Sequence, residues 1–454
     1  MRRLAYLTFA AIVLATGAAG ATGPITKGPW IQKVTPTSAV IRVEVDPPGP
    51  VTVELGIGSA GTDASGARTL ESKEARALHS ILVDKLDPAT RYAFTVRAAG
   101  AQKYGAVTTA PEDPSAPFRF LVFGDNRTDD AAHAAVVRAM ASSNADFLVH
   151  TGDFVANGGS APEWQTFFDI EAPIMRDRCL FSCVGNHELV DGAGIQYVRY
   201  FGPADGPAPP SLTPESLNGT FRWGNARFFL VNGMVSYATG QASRDWLEKA
   251  LANAADEKGI VWRVIVTHHG PWSSGPHGDN TRFRDAGIPD LLKKHKVDLV
   301  IAGHDHIYER GLADGIAYFV SGGGGAPVYK IKTKGPFSRR TESVRHYIEA
   351  SVSAVAIQFA ATRPDGTVIE RCGLRKGEGW DCDAPAAAAA GGAASGSSGP
   401  GQSSAAGASS GGSKCGCRAA GGERASGFGA TGLALGLAIS LVARRRRAIL
   451  GEGA

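Results

Sequence analysis

The chain changes rhythm near residue 117. Before it, stretches such as "VTVEL" (51–55) and "YAFTVRA" (92–98) alternate apolar and polar positions with period two, the pattern of half-buried antiparallel strands. With "SAVIRVEV", "HSILVDKL" and the Pro-containing turn in "LDPATRY", they predict an all-β segment over residues 24–112. After residue 117 the strands become continuously apolar: "FRFLVF" (118–123), "DFLVH" (146–150), "WRVIVT" (262–267) and "VDLVIA" (297–302). Amphipathic helix patterns separate them, among them "AAHAAVVRAMASS" (131–143) and "APEWQTFFDIEAPIM" (161–175). Strands apolar at every position are buried on both faces, so residues 117–382 predict a layered α/β domain. Residues 344–372 read as closing antiparallel strands, with Asp365-Gly366 as a hairpin turn.

The two ends carry a different pattern. Residues 1–21 place two arginines before an apolar run and then small residues, as a secretory signal peptide does, with cleavage expected after Ala19 or Ala21. Residues 384–414 are almost entirely Ala, Gly, Ser and Pro, the composition of a flexible linker. Residues 415–447 hold Cys415 and Cys417, an apolar segment (425–443) of about membrane-spanning length, and four arginines. By the positive-inside rule those arginines stay cytoplasmic. An exported protein held at the cell surface is expected, membrane-anchored at least before any carboxyl-terminal processing.

Charge follows the same division. The formal net charge of +4 comes from the tails, and residues 22–383 carry −3, which argues against a nucleic-acid-binding surface. Six cysteines suit an exported chain; Cys179 with Cys183, or Cys372 with Cys382, is expected as a disulfide.

Candidate chemistry gathers where strands stop. "FLVF" ends in Gly124-Asp125-Asn126-Arg127 and "DFLVHT" in Gly152-Asp153. "LFSCV" ends in Gly185-Asn186-His187-Glu188, "WRVIVT" in His268-His269, and "VDLVIA" in Gly303-His304-Asp305-His306. In an open α/β sheet the carboxyl ends of the strands form the ligand crevice, so these groups are expected to converge. A set of Asp, Asn and His suits Mn, Fe or Zn. Buried carboxylates without a cation would repel one another and take up protons. So many donors exceed what one tetrahedral ion takes, and two divalent ions sharing a carboxylate fit better.

The motifs "GDNR", "GDFVANG", "GNHE", "VTHHGPWSSGPHG" and "GHDHIYER" resemble, in order, those of the calcineurin-like metallophosphoesterases, and the purple acid phosphatase branch most. The resemblance covers about residues 117–375. It implies a four-layer sandwich of two mixed sheets flanked by helices, preceded by a fibronectin III- or immunoglobulin-like β-sandwich. It also implies hydrolysis of a small phosphorylated substrate at two divalent ions. Carried over, Asp125 and His306 would hold the first ion and Asp153 would bridge. Asn186, His268 and His304 would hold the second. His187 would face the substrate, either stabilising the transition state or protonating the leaving oxygen, and His277 would be a second substrate-facing histidine. His269 would point away from the ions, Asp305 and Glu309 would be supporting or surface groups rather than ligands, and Glu188 would orient its neighbours. The carboxyl-terminal segment resembles the sorting signal of myxobacterial surface proteins, with a permanent single-pass anchor as the alternative.

Two positions depart from the pattern. Ala156 stands where purple acid phosphatases place a tyrosinate, so a colourless protein is expected. Arg127 stands where many members place a histidine, which leaves the first ion fewer protein ligands. Asn126 or water would then complete that set, and Arg127 would clamp phosphate or form a surface salt bridge. Phosphomonoesters are the expected substrates. The alternatives are phosphodiester hydrolysis at the same site and a non-catalytic surface adhesion protein.

Overall fold

A computed structural model describes residues 24–58, 65–191, 194–202 and 217–382. The expected leader, the linker 384–414 and the segment 415–447 lie outside the described residues. Among the described residues no helix is long and apolar enough to cross a membrane.

Five strands come first: β1 (Ile25–Gln32), β2 (Ala39–Ile57), β3 (Ser65–Val83), β4 (Arg91–Ala98) and β5 (Ala101–Thr108). The alternating half follows with β6 (Phe118–Phe123), α1 (Asp130–Ala141), β7 (Phe147–His150), α2 (Ala161–Met175), β8 (Cys179–Ser182) and α3 (Ile195–Phe201). Next are β9 (Gly219–Trp223), β10 (Ala226–Val231), α4 (Ala242–Asp256), β11 (Trp262–Thr267), α5 (Thr281–Asp285), α6 (Ile288–Lys294) and β12 (Leu299–Ala302). The chain closes with β13 (Tyr308–Ala313), β14 (Ile316–Ser321), β15 (Ser338–Glu342), β16 (Tyr347–Val352), β17 (Ala356–Thr362), β18 (Val368–Arg375) and β19 (Gly379–Asp381).

Two mixed sheets result. Within the twelve-stranded sheet β6, β7 and β8 are parallel, and β16 to β19 extend the β6 side antiparallel. Within the seven-stranded sheet β10, β11, β12 and β14 are parallel. Successive side chains of a strand point to opposite faces, and the doubly apolar strands use both. Phe120, Val122, Phe147 and Val149 of the first sheet meet Phe228, Val264, Val266, Leu299 and Ile301 of the second in a shared core. Phe120 and Phe147 each set an edge against Phe228, at 5.4 and 5.6 Å between centroids. The alternate residues Leu121, Phe123 and Leu148 pack outward with Val136, Met140 and Phe167 of α1 and α2. On the far side Phe229, Ile265 and Val300 pack with Leu247, Leu251 and Leu292 of α4 and α6. The order helices, sheet, sheet, helices gives the expected four layers.

The strands expected in the amino-terminal segment are present, and backbone hydrogen bonds join them to the twelve-stranded sheet. β1 pairs antiparallel with β2 and, at Ile31 and Cys179, parallel with β8. The parallel trio β6–β8 would otherwise end in an unpaired edge, and β1 supplies that pairing. The seam is reinforced by buried Arg42, whose guanidinium donates to the Tyr200 and Arg199 carbonyls at 2.8 and 2.7 Å. These carbonyls end α3, where a helix has no internal donors left and favours a cation. Trp30 packs against Phe168 of α2, with ring centroids 4.8 Å apart and planes tilted by 54°, and donates its indole N–H to the Tyr200 carbonyl.

Cys372 and Cys382 form a disulfide, whereas Cys179 and Cys183 are free and buried. Four residues of extended chain span about 13 Å, beyond the reach of a disulfide.

Replacing Arg42 by Met keeps the bulk and removes both of its bonds to the α3 carbonyls, leaving Tyr200 with Trp30 alone. Thermal or urea unfolding should show a loss of about 2–3 kcal/mol; an unchanged midpoint would mean that the seam does not depend on this contact.

Candidate metal centre

The carboxyl ends of β6, β7 and β8 from one sheet and of β11 and β12 from the other meet at one edge of the layered core. Asp125, Asp153 and His268 are fully buried there, with ligand atoms all within 4.8 Å of one another. Asp125, Asp153 and His304 sit in the left-handed region, with φ of 57°, 58° and 69°. That conformation costs a non-glycine residue roughly 1 kcal/mol or more, and it turns each side chain sharply off its strand. The preceding glycines have a steric origin. A Cβ at Gly185 would run into the Asp153 carboxylate, and one at Gly303 into the Asp125 carboxylate.

Backbone carbonyls fix the imidazoles. His268 Nδ1 donates to the Thr151 carbonyl (2.8 Å), His306 Nδ1 to the Pro327 carbonyl (2.8 Å) and His187 Nδ1 to the Ala156 carbonyl (2.6 Å). Each neutral ring is thereby held in the tautomer whose Nε2 is a lone pair. His268 Nε2 faces Asn186 Oδ1 at 3.0 Å, His304 Nδ1 at 3.1 Å and Asp153 Oδ1 at 3.3 Å. His306 Nε2 faces Asp125 Oδ1 at 3.6 Å, and His187 Nε2 faces Asp153 Oδ2 at 3.8 Å.

Electrostatics point the same way. Burial, and then the Asp153 charge, push the Asp125 carboxyl well above the usual range. Burial opposes ionisation of Asp153 too, but His268, His187 and Arg127 outweigh it and hold that carboxyl below its ordinary value. Burial pushes His268 and His304 down, and His306 down to about 4. Uncharged rings and carboxylate oxygens crowded lone pair to lone pair are a donor set for cations. Asn186, His268, His304 and Asp153 would hold one ion. Asp125, Asp153 and His306 border the position of another.

Supporting groups surround these residues. Glu188 is fully buried and accepts the backbone N–H groups of Gly185 (2.8 Å), Asp153 (2.9 Å) and Phe154 (2.8 Å). It ties the ends of β7 and β8 together, as expected of it; burial and Asp153 push its carboxyl up to about 8. His277 lies with its ring 4.4 Å from that of His304, and its backbone N–H donates to Asp305. His269 donates to the Gly278 carbonyl, with its ring 4.3 Å from His304. Glu309 accepts from Ser274 and Tyr318, outside the donor set. Arg127 is no surface group: its Nε donates to Asp153 Oδ2 at 3.1 Å.

Asn126 departs from expectation. It turns away from Asp125 into a buried cluster, accepting from His150 Nε2 (2.7 Å) and donating to Glu171 (3.3 Å), which also receives His133. That cluster spans β7, α1 and α2, and its members are too far apart in sequence to have shown a pattern. Tyr329 was also not anticipated: its ring stacks on His306 at 4.1 Å. The signal for it was "GGGG" at 322–325. Gly324 donates to the Gly124 carbonyl (2.8 Å), and a Cβ there would strike that backbone.

With this geometry in view, comparison with known proteins is informative. Residues 118–308 match the model of the calcineurin-like phosphoesterase family. That segment is similar to calcineurin-like phosphoesterase domains. Relatives of the domain include an uncharacterised protein of Mycobacterium tuberculosis, 28% identical over 274 residues, covering 52% of this chain and 51% of its own length. Purple acid phosphatase 23 of Arabidopsis thaliana is 24% identical over 265 residues, covering 51% and 57%. The chain thus spans about half the length of these curated relatives. Among solved structures, purple acid phosphatase PPD1 of yellow lupin superposes with a TM-score of 0.66 at 16% identity, covering 78% of this chain and 74% of its own. PhoD gives 0.62 at 13% identity, covering 83% and 95%. These likenesses bear on the fold. Calcineurin-like phosphoesterases use a dinuclear metal centre, and the buried Asp125, Asp153 and His268 group fits one.

Glu188→Gln would turn an amide N–H₂ toward backbone donors. Calorimetric titration with Mn²⁺ should show affinity reduced by roughly 10–100-fold; undiminished affinity would remove Glu188 from the support of the centre.

Proposed function

We propose that this protein hydrolyses phosphate esters, with phosphomonoesters as its preferred substrates. The observation that carries the reading is the convergence of Asp125, Asp153, Asn186, His268, His304 and His306, from five strand ends on two sheets, upon one edge of the core. Relatives named as acid phosphatases support the reaction class. When bound, a pair of divalent ions supplies Lewis acidity toward phosphoryl oxygens and acidifies water to near neutrality.

The protein's own groups do the rest. Asp153 lies between the two donor sets and fixes their separation. His187, anchored through Nδ1 and about a quarter exposed, presents its ring edge beside Asp153. When protonated, its Nε2 donates to the leaving oxygen as the ester bond breaks. The Arg127 guanidinium, 15% exposed, has donors to spare for phosphoryl oxygens. His277, beside His304, faces the substrate from the opposite loop. No side-chain nucleophile is required in this scheme. Export and display at the cell surface belong to the same proposal, on the leader-like residues 1–21 and the apolar and Arg-rich segment 415–447.

Asp153→Asn and His187→Ala should each lower kcat/KM on an aryl phosphate by about 10²-fold or more; full activity in either variant would overturn the reading. Chelation should abolish turnover, and Mn²⁺, Zn²⁺ or Fe²⁺ should restore it. Under the adhesion reading the protein would bind less than about one ion and stay inactive. Comparing rates on an aryl phosphate and its diester tests the monoester preference.

A further inference from the structure

The two donor sets are not equivalent. Around His268 Nε2 the neighbours are Asn186 Oδ1, Asp153 Oδ1 and the His304 ring nitrogen, with no cationic side chain among them. Around the other set a cation is built into the chain. Arg127 Nε donates to Asp153 Oδ2 at 3.1 Å, and Nη2 donates to His306 Nε2 at 3.3 Å. His306 Nε2 is available as an acceptor because its Nδ1–H is committed to the Pro327 carbonyl. Tyr329 stacks on His306 at 4.1 Å. Two of the acceptors that border the first metal position are therefore taken by one fixed positive group.

We propose that the guanidinium of Arg127 occupies the first metal position. The protein then holds one divalent ion tightly at Asp153, Asn186, His268 and His304, and a second enters only by displacing Arg127. Charge supports this. A guanidinium and one divalent ion already outweigh the charges of Asp125 and Asp153. A second divalent ion would be set against Arg127 within a few ångströms in a buried space, where like charges repel strongly. The inference deepens the phosphoesterase reading and rests on it. It gives Arg127 a dual part: a substitute cation at rest, and a donor to the phosphoryl group when substrate enters.

The test uses the full chain, stripped with chelator and titrated with Mn²⁺, followed by calorimetry and electron paramagnetic resonance. Wild type should take up about one ion tightly, with a second at least roughly 10-fold weaker, and show the spectrum of an isolated Mn²⁺. Arg127→Ala and Arg127→His should bind two ions of similar affinity and give the signal of a spin-coupled pair. Arg127→Lys, which keeps a cation, should stay close to wild type. Thermal unfolding checks that each variant folds; if Arg127→Ala does not, the wild-type stoichiometry and the other two variants still decide. Two equally tight ions in wild type would overturn the inference and leave the phosphoesterase reading intact. No binding by any form would overturn both.

Discussion

Two carboxylates buried beside one another set the terms for everything around them. Asp125 and Asp153 are held almost free of solvent, where burial opposes ionisation of both and the Asp153 charge adds to the cost of ionising Asp125. No side-chain rearrangement relieves that cost, because both sit on strand ends locked in two packed layers. Left-handed backbone, flanking glycines and the Glu188 clamp all hold acidic groups where isolated acidic groups would not stay.

The layered core provides the rigidity this needs. Three of the polar strand ends come from one sheet and two from the other, so the centre exists only while the sheets remain face to face. Phe120, Phe147 and Phe228 interlock across that interface. A small slip between the layers would carry His268 and His304 away from Asp125 and Asp153, and the aromatic packing opposes it.

Much of this was legible from the amino-acid order, for a physical reason. A strand that must bury both faces is uniformly apolar, so an abrupt Gly-Asp or Gly-Asn-His is conspicuous, and five such breaks define an edge. A layered α/β domain could be read from the same apolar runs. What stayed hidden depends on contacts between distant segments. Asn126 looks like a ligand beside Asp125, yet His150 and Glu171 draw it to the other side. Tyr329 sits in a loop whose path is set by backbone contact with Gly124. The amino-terminal strands show their alternation in the sequence, but local periodicity does not reveal that β1 will pair with β8. Cys179 and Cys183 looked like a pair in sequence, but extended geometry keeps them apart.

The shared sheet has a consequence for how this molecule can be divided. The pairing of β1 with β8 and the grip of Arg42 on α3 tie the strands β1 to β5 to the layered α/β core. A recombinant fragment starting at residue 117 would bare the apolar rim of β8, inviting intermolecular strand addition and precipitation. For the same reason, exchange of this region between homologues would succeed only when donor and recipient strands match along that rim.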